Sequence, residues 1–158
     1  MAKILIVDDS RTSRRMLRNI LVENGHEVIG EAENGQIGFE KYIELKPDIV
    51  TLDITMPVLD GLGALEKIIA YDENAHAVMV TAAGQKNKMV DAIKLGANEF
   101  VQKPFEPDQI LSVIGNITKK KKKKKKKKTE NRLEIGNSQC ELYFSLICRF
   151  FFLNFFII

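Results

Sequence analysis

Chemically reactive side chains stand at the ends of four short apolar segments of the sequence. They are Asp8 and Asp9 after the first segment, Asp53 after the second, Thr81 after the third and Lys103 after the fourth. An open α/β sheet exposes reactive groups in this way, because its parallel strands end at one common edge. Acids, a hydroxyl and a cation at four strand ends predict a phosphoryl-accepting aspartate, Asp53, beside a metal site.

Three carboxylates that lie together need a cation. Two unit charges about 4–5 Å apart repel by roughly 3–4 kcal/mol at an effective dielectric constant near 20. A hard divalent cation relieves this repulsion, and magnesium prefers one or two carboxylates together with water and a phosphate oxygen. Asp9 is the expected direct ligand, and Asp8 is expected to bind the metal directly or through water.

The elements that carry these residues alternate regularly along the chain. Apolar, strand-like segments are predicted at residues 3–7, 27–32, 49–52, 77–81 and 99–102. Amphipathic, helix-like segments are predicted at residues 11–24, 36–46, 62–71, 87–95 and 107–118. Ser10 is the expected N-cap of the first helix, and Gly25 its expected stop. This alternation predicts an α/β fold with a parallel sheet and helices on both faces.

Four motifs, taken in order, resemble the receiver domain of two-component response regulators. They are ILIVDDS at residues 4–10, DITMPVLDG at 53–61, VTAAG at 80–84 and KPF at 103–105. The resemblance covers residues 1–118 and is strongest to the single-domain regulators of chemotaxis. It implies a doubly wound, flavodoxin-like sheet of five parallel strands in the order 2-1-3-4-5, in which the ends of the first and third strands are neighbours.

The resemblance implies a role for each reactive side chain. Asp53 is the phosphoacceptor, and the donor is a phosphohistidine of a sensor histidine kinase. Lys103 neutralises charge on the transferring group, and Thr81 hydrogen-bonds a phosphoryl oxygen. The peptide between Lys103 and Pro104 is expected to be cis. The implied cofactor is Mg2+, with the ligands Asp8, Asp9, Asp53 and the backbone carbonyl of Thr55.

The same resemblance implies an output switch formed by Thr81 and Phe100. In the family, the threonine moves toward the phosphoryl group and an aromatic side chain of the fifth strand turns inward behind it. Chemotaxis regulators often have tyrosine there, so Phe100 departs from that pattern by lacking the hydroxyl. A hydrophobic rotamer switch is retained, and a static core phenylalanine is the alternative. The responsive surface is expected on the fourth helix, fifth strand and fifth helix.

The main functional hypothesis is a phosphorylation-activated signalling module that controls a flagellar motor in chemotaxis. Its expected partners are a histidine kinase, a flagellar switch component and a phosphatase, and its only catalysis is its own phosphorylation and dephosphorylation. The alternatives are a phosphorelay intermediate and a transcription regulator that has lost its DNA-binding domain. A flavodoxin-type FMN protein is disfavoured because Asp8 and Asp9 would repel phosphate. A haloacid-dehalogenase-type phosphatase needs a second acid where Thr55 stands.

Charge separates residues 1–118 from the rest of the chain. The whole chain carries +3, but residues 1–118 contain 12 basic and 18 acidic side chains, a net charge of −6. Such a domain is a poor binder of nucleic acid. Both cysteines, Cys140 and Cys148, follow residue 118, and the first strand begins at residue 3. Neither a disulfide framework nor a signal peptide is expected, and the predicted location is the cytoplasm.

Residues 119–158 form a different kind of segment. Ten consecutive lysines at 119–128 cannot fold alone and attract polyanions or anionic lipid. The apolar residues 142–158 barely reach the roughly 17–25 residues of a membrane span, and Arg149 near their middle costs about 2.5–3.5 kcal/mol there. We interpret the segment as translated A/T-rich DNA after a frame slip or missed stop. The alternatives are a disordered tail that binds anionic surfaces and, less favoured, a membrane anchor. Membrane contact is not expected.

Overall fold

The structure, a computed structural model, describes residues 1–82 and 85–119, apart from the side chain of Lys86. Five strands alternate with five helices in this part of the chain. The strands are β1 (Lys3–Val7), β2 (Glu27–Ala32), β3 (Ile49–Asp53), β4 (Ala77–Ala82) and β5 (Glu99–Lys103). The helices are α1 (Arg11–Glu23), α2 (Gly35–Leu45), α3 (Gly61–Tyr71), α4 (Lys86–Leu95) and α5 (residues 107–119).

The strands form one parallel sheet in the order β2-β1-β3-β4-β5. The predicted α/β fold and its strand order are confirmed. Three strands run one residue beyond their predicted ends, because the last residues still pair with a neighbouring strand. Asp53 lies opposite Val80, and Ala82 lies opposite Lys103. Both Asp53 and Lys103 therefore belong to the sheet itself and not to the loops that follow.

Two hydrophobic layers cover the two faces of the sheet. Alternate residues of β1 divide between them, with Leu5 and Val7 in one layer and Ile4 and Ile6 in the other, as the period of two in a strand requires. The first layer packs under α2, α3 and α4, and the second under α1 and α5. Each large aliphatic side chain buried there stabilises the fold by about 1.5–3 kcal/mol.

Side-chain caps determine where three helices begin at the carboxyl edge of the sheet. The caps are Ser10 accepting from the Ser13 N–H at 3.3 Å, Asn34 accepting from the Ile37 N–H at 2.9 Å, and Asp60 accepting from the Gly63 N–H at 2.8 Å. A cap of this kind stabilises a helix by about 1 kcal/mol. The predicted cap at Ser10 is confirmed. Gly25, with φ of 76°, follows the end of α1 and confirms the predicted helix stop.

The loop between β3 and α3 packs tightly against the end of its own strand. The Gly61 N–H donates to the Ile54 carbonyl at 3.0 Å. A Cβ atom at Gly61 would overlap the backbone carbonyl of Asp53, so only glycine permits this approach. The first turn of α3 is thereby held against the backbone of the predicted phosphoacceptor.

Val58, in the same loop, has a left-handed backbone conformation. Its φ is 68°, its side chain is 86% exposed, and the Leu59 N–H donates across it to the Pro57 carbonyl at 2.8 Å. A β-branched residue is strained by roughly 1–2 kcal/mol in this conformation. Because the side chain is exposed, burial does not offset that strain.

Val58→Asn is therefore expected to increase the free energy of unfolding by about 1 kcal/mol, since asparagine tolerates the left-handed region. Denaturant titration of both proteins measures the difference. Val22→Asn is the matched control, because Val22 is an exposed valine within α1 and its replacement should change stability by less than about 0.5 kcal/mol. An unchanged or lower stability of Val58→Asn would contradict the strain at this turn.

Residues 1–118 form one compact unit. Residues 83–84, inside the third motif, and residues 120–158 lie outside the described part of the chain. The interpretations of the lysine run and of the apolar segment after it concern those residues and stay predictions. Among the helices that the structure describes, none combines the length and the apolar character that crossing a membrane requires.

Candidate functional site

Lys103 joins two buried carboxylates at the carboxyl edge of the sheet. Its Nζ donates to Asp8 Oδ2 at 2.7 Å and to Asp53 Oδ2 at 3.0 Å, and the two acids are only 3% and 7% exposed. The strand order explains the meeting: β1 and β3 are neighbours, and the long lysine side chain reaches across the end of β4. The structure thus brings three predicted site residues together, and their roles stay predictions.

Burial and these hydrogen bonds set the protonation of the site. Burial raises the pKa of the Asp8 carboxyl above its ordinary value, although Lys103 and the Ser10 N–H act in the opposite direction. Burial acts to lower the pKa of Lys103, but its bonds to Asp8 and Asp53 outweigh that effect and raise it. Lys103 is therefore a persistent cation at neutral pH, and it is the counter-charge of both acids.

Backbone contacts hold the loop that carries Asp8 and Asp9. The Asp8 N–H donates to the Ala32 carbonyl at 3.0 Å, and the Ser10 N–H donates to Asp8 Oδ1 at 2.8 Å. From the first turns of α1, Arg14 Nη1 donates to the carbonyls of Asp8 at 2.7 Å and of Asp9 at 3.3 Å. The backbone of both acids is therefore held, and the Asp8 carboxylate is also oriented by the Ser10 N–H.

Asp9 completes an acidic cluster with Asp8 and Asp53. One carboxylate oxygen from each lies within 4.8 Å of the others, and Asp9 is the exposed member. Hard oxygen donors, one of them facing solvent, fit a divalent cation such as Mg2+ that keeps several of its waters. Thr55, the predicted source of a carbonyl ligand, is the second residue after Asp53 and has an exposed side chain. Its ligand role stays a prediction.

Thr81 is 1% exposed at the end of β4, the strand next to Asp53. Its hydroxyl lies within donating distance of the Ala82 carbonyl at 3.1 Å and of Gln85 Oε1 at 3.2 Å. Gln85 Nε2 donates in turn to the Thr55 hydroxyl at 3.0 Å. A single glutamine side chain thus connects two residues that the sequence assigned to the site.

Phe100 is partly buried on β5, opposite Met79 of β4. It packs against the hydrophobic layer under α2, α3 and α4. Its part in a switch stays a prediction. The peptide between Lys103 and Pro104 is cis, as predicted.

Arg14 and Gln85 contact the site but were not predicted from the sequence. Arg14 is one of four arginines on an amphipathic helix, and composition does not separate it from the other three. The available signal is its place one turn after the cap Ser10, because helical side chains lean toward the N-terminus and reach the preceding loop. Gln85 follows the third motif without any spacing rule that singles out an amide.

Arg14→Met is expected to lower the free energy of unfolding by about 2 kcal/mol, because charged hydrogen bonds to two carbonyls are lost. The substitution also removes the pairing of Arg14 Nε with Glu31 Oε2 at 3.4 Å. Denaturant titration without metal measures the change, and Arg15→Met, at the exposed next residue of α1, is the control. Equal stability of the two variants would show that Arg14 does not hold the acidic loop.

Comparison with known proteins agrees with this geometry. The model of the response regulator receiver domain matches residues 4–115. Chemotaxis protein CheY of Listeria monocytogenes is 50% identical over 119 residues, which are 75% of this chain and 100% of that protein. Chemotaxis protein CheY of Thermotoga maritima is 45% identical over 117 residues, which are 74% of this chain and 98% of that protein.

A solved structure shows the same similarity. A chain in the crystal structure of the CheX-CheY-BeF3-Mg+2 complex from Borrelia burgdorferi matches with a TM-score of 0.71 and 35% identity, covering 73% of this chain and 88% of that chain. The family match extends over most of the residues that form the sheet and its helices. The chain therefore belongs to the family of response regulator receiver domains.

Proposed function

We propose that this receiver domain is a phosphorylation-activated response regulator whose phosphoacceptor is Asp53. Receiver domains of this type are signalling proteins and not classical enzymes. The observation that carries the proposal is the bridge from Lys103 Nζ to Asp8 and Asp53 inside the acidic cluster. One carboxylate is thereby presented at a strand end with a fixed cation beside it, which is the arrangement that in-line phosphoryl transfer needs.

In the proposed transfer, an Asp53 carboxylate oxygen attacks the phosphorus of a phosphohistidine on a histidine kinase. The new P–O bond to Asp53 forms as the P–N bond breaks, and the imidazole leaves. Lys103 lies within hydrogen-bond distance of the attacking carboxylate of Asp53 and donates to the transferring oxygens, where its fixed charge stabilises the transition state. Burial of Asp53 limits the access of competing water.

Asp8, Asp9 and Asp53, with the backbone carbonyl of Thr55, are the residues that would hold Mg2+. The ion would neutralise charge on the phosphoryl oxygens when bound. The other contribution of these residues is to hold the cluster's geometry before the phosphodonor arrives, through Ser10 and the carbonyl contacts of Arg14. The entropic cost of ordering the loop is then met when the domain folds, so it does not add to the barrier of the transfer step.

The proposed output passes through Thr81 and Phe100 to the surface formed by α4, β5 and α5. The buried threonine can donate its proton to a new phosphoryl oxygen, and the half-buried ring can follow it inward. A partner that prefers the phosphorylated form then shifts the population toward it. Two relatives that match over nearly their whole length are named chemotaxis protein CheY, which supports a role in chemotaxis with a flagellar switch component as output partner.

A CheX-type protein is a further partner to consider, because the Borrelia burgdorferi structure contains CheX in a complex with CheY. In our proposal such a protein acts as the phosphatase of this domain. Asp9 and Thr55 are exposed, which leaves their face of the site open to such a partner. The site of signalling that we propose is the cytoplasm.

Intact-mass measurement of the full chain with acetyl phosphate tests the proposed function. With magnesium present, we expect one added phosphoryl group that is stable in acid and labile in alkali, as an acyl phosphate is. Chelation of the metal should suppress the adduct. A chain that gains no phosphoryl group from acetyl phosphate and binds no beryllofluoride would contradict the proposal, while the fold would be unaffected.

A further inference from the structure

Gln85 is the only described side chain that connects the third motif to the loop after Asp53 through hydrogen bonds. Its Oε1 lies 3.2 Å from the Thr81 hydroxyl, and its Nε2 lies 3.0 Å from the Thr55 hydroxyl. Gln85 occupies the N-cap position of α4 but makes no side-chain cap bond to that helix. Its amide is therefore engaged with the site and not with its own helix.

The bond to Thr55 determines which end of the amide faces Thr81. Because Nε2 donates to Thr55, the carbonyl end of the same planar group points to the other hydroxyl. An amide oxygen only accepts, so Thr81 must be the donor in that pair. Thr55, two residues after Asp53, thus orients the Gln85 amide so that Oε1 accepts the Thr81 proton.

Thr81 is buried, and its hydroxyl has a single proton to donate. In the structure its two acceptors are the Ala82 carbonyl and Gln85 Oε1. Among the described contacts, Thr81 makes no hydrogen bond to Asp53. A phosphoryl oxygen on Asp53 can receive this proton only when both existing acceptors give it up.

We propose that Gln85 is a positioning residue that holds Thr81 in the unphosphorylated arrangement, with Thr55 as its anchor. The phosphoryl group and Gln85 then compete for one proton, and the bond from Gln85 to Thr81 sets part of the cost of activation. This inference rests on the proposed function, because it requires a phosphoryl group on Asp53. It adds a residue that neither the acidic cluster nor the Thr81 and Phe100 pair contains.

Removing the competing acceptor should tighten the binding of a phosphoryl analogue. One neutral hydrogen bond changes an equilibrium constant by about three- to tenfold. Gln85→Met keeps the length of the side chain and removes both hydrogen bonds. We expect this variant to bind beryllofluoride about three- to tenfold more tightly than the wild type, in the full chain with saturating magnesium.

Isothermal titration with beryllofluoride measures the affinity, and NMR of the side-chain amides reports the Gln85 contacts directly. Gln36→Met is the matched control. Gln36 also bridges two side chains, since it donates to Glu40 at 2.8 Å and accepts from Lys67 at 2.9 Å, but it touches no site residue. Its replacement should leave the beryllofluoride affinity unchanged. Magnesium affinity should be unchanged in both variants, because neither glutamine contacts the acidic cluster.

Repeating the measurement in a Thr81→Val variant shows whether Gln85→Met acts through the Thr81 hydroxyl or through a general structural effect. In Thr81→Val the hydroxyl is absent, so Gln85→Met should add no further change in affinity. Thr55→Val should reproduce part of the tightening, because it releases the anchor of the amide while the backbone carbonyl remains. An unchanged or weaker affinity of Gln85→Met in the wild-type background would overturn the inference, and so would an equal tightening with and without the Thr81 hydroxyl. A wild-type chain that binds no beryllofluoride would instead overturn the proposed function.

Discussion

Asp53→Asn is expected to abolish phosphoryl uptake while leaving the fold intact. Asparagine has nearly the shape of aspartate, so it fits the buried position, and its amide oxygen still accepts the hydrogen bond from Lys103. That oxygen is not a nucleophile at neutral pH, so the chain has no acceptor at this strand end. Intact-mass measurement with acetyl phosphate and magnesium should show the adduct on the wild type and none on the variant.

Asp91→Asn is the matched control for this experiment. Asp91 is an exposed acid on α4 that pairs with Lys94 at 3.8 Å, and its replacement should leave the stoichiometry of labelling at the wild-type value. The thermal unfolding of Asp53→Asn should remain cooperative, because the packing around β3 is unchanged. A full phosphoryl adduct on Asp53→Asn would show that another residue is the phosphoacceptor and would contradict the assignment.

Lys103→Met is expected to lower both stability and phosphoryl uptake, and magnesium should restore only the stability. Without metal, the loss of the shared cation leaves two buried carboxylates facing each other, and the free energy of unfolding should fall by about 3 kcal/mol. Magnesium should restore most of this stability, because it supplies positive charge to the same acids. Phosphoryl uptake should still fall by about a hundredfold or more, since a fixed donor to the transferring oxygens is absent.

Denaturant titrations with magnesium and with a chelator measure the first effect, and the rate of labelling by acetyl phosphate measures the second. Lys94→Met is the control, because this lysine is exposed and its ion pair among the described residues is a long one, to Asp91 at 3.8 Å. It should change stability by less than about 0.5 kcal/mol in either condition. If Lys103→Met were as stable as the wild type without metal, the bridge to Asp8 and Asp53 would not be a source of stability.

The fold could be predicted from the sequence because hydrophobic pattern and turn residues agree along the whole of residues 1–118. Alternation of strand-like and helix-like segments indicated a parallel sheet with two covered faces. Periodicity alone does not determine the order of the strands, and here the order came from the resemblance of four motifs to a known family. The ends of β3, β4 and β5 were predicted one residue short, because a polar residue at the end of a strand looks like the start of a loop.

The five predicted site residues were expected together because each lies at or just after the end of a strand, and strand ends meet at one edge of the sheet. The structure brings Asp8, Asp53 and Lys103 into contact there, and the roles of all five stay predictions. The residues that hold them were not found, since their contacts cross between elements. Arg14 reaches back from α1 to two carbonyls, and Gln85 joins Thr81 to Thr55 over a separation of 30 residues from the latter. The signal for Arg14 is limited to its place one turn after Ser10, and no spacing rule encodes the bond between Gln85 and Thr55.

The contact between Gly61 and the Asp53 carbonyl has a consequence for how a chemical event at Asp53 can spread through the molecule. On the α3 side, the backbones of Gly61 and the proposed phosphoacceptor Asp53 are in close contact, with no space for a side chain between them. Asp53 and the start of α3 should therefore move together. On the side of β4, the backbone pairing of Asp53 with Val80 is joined by side-chain hydrogen bonds from Gln85 to Thr81 and Thr55. Each of these side-chain bonds can change partner without moving a strand. A structural change caused by modification of Asp53 should therefore propagate through the exchangeable side-chain contacts. The β4 side of the sheet is then the deformable side of the domain, and the α3 side is the rigid one.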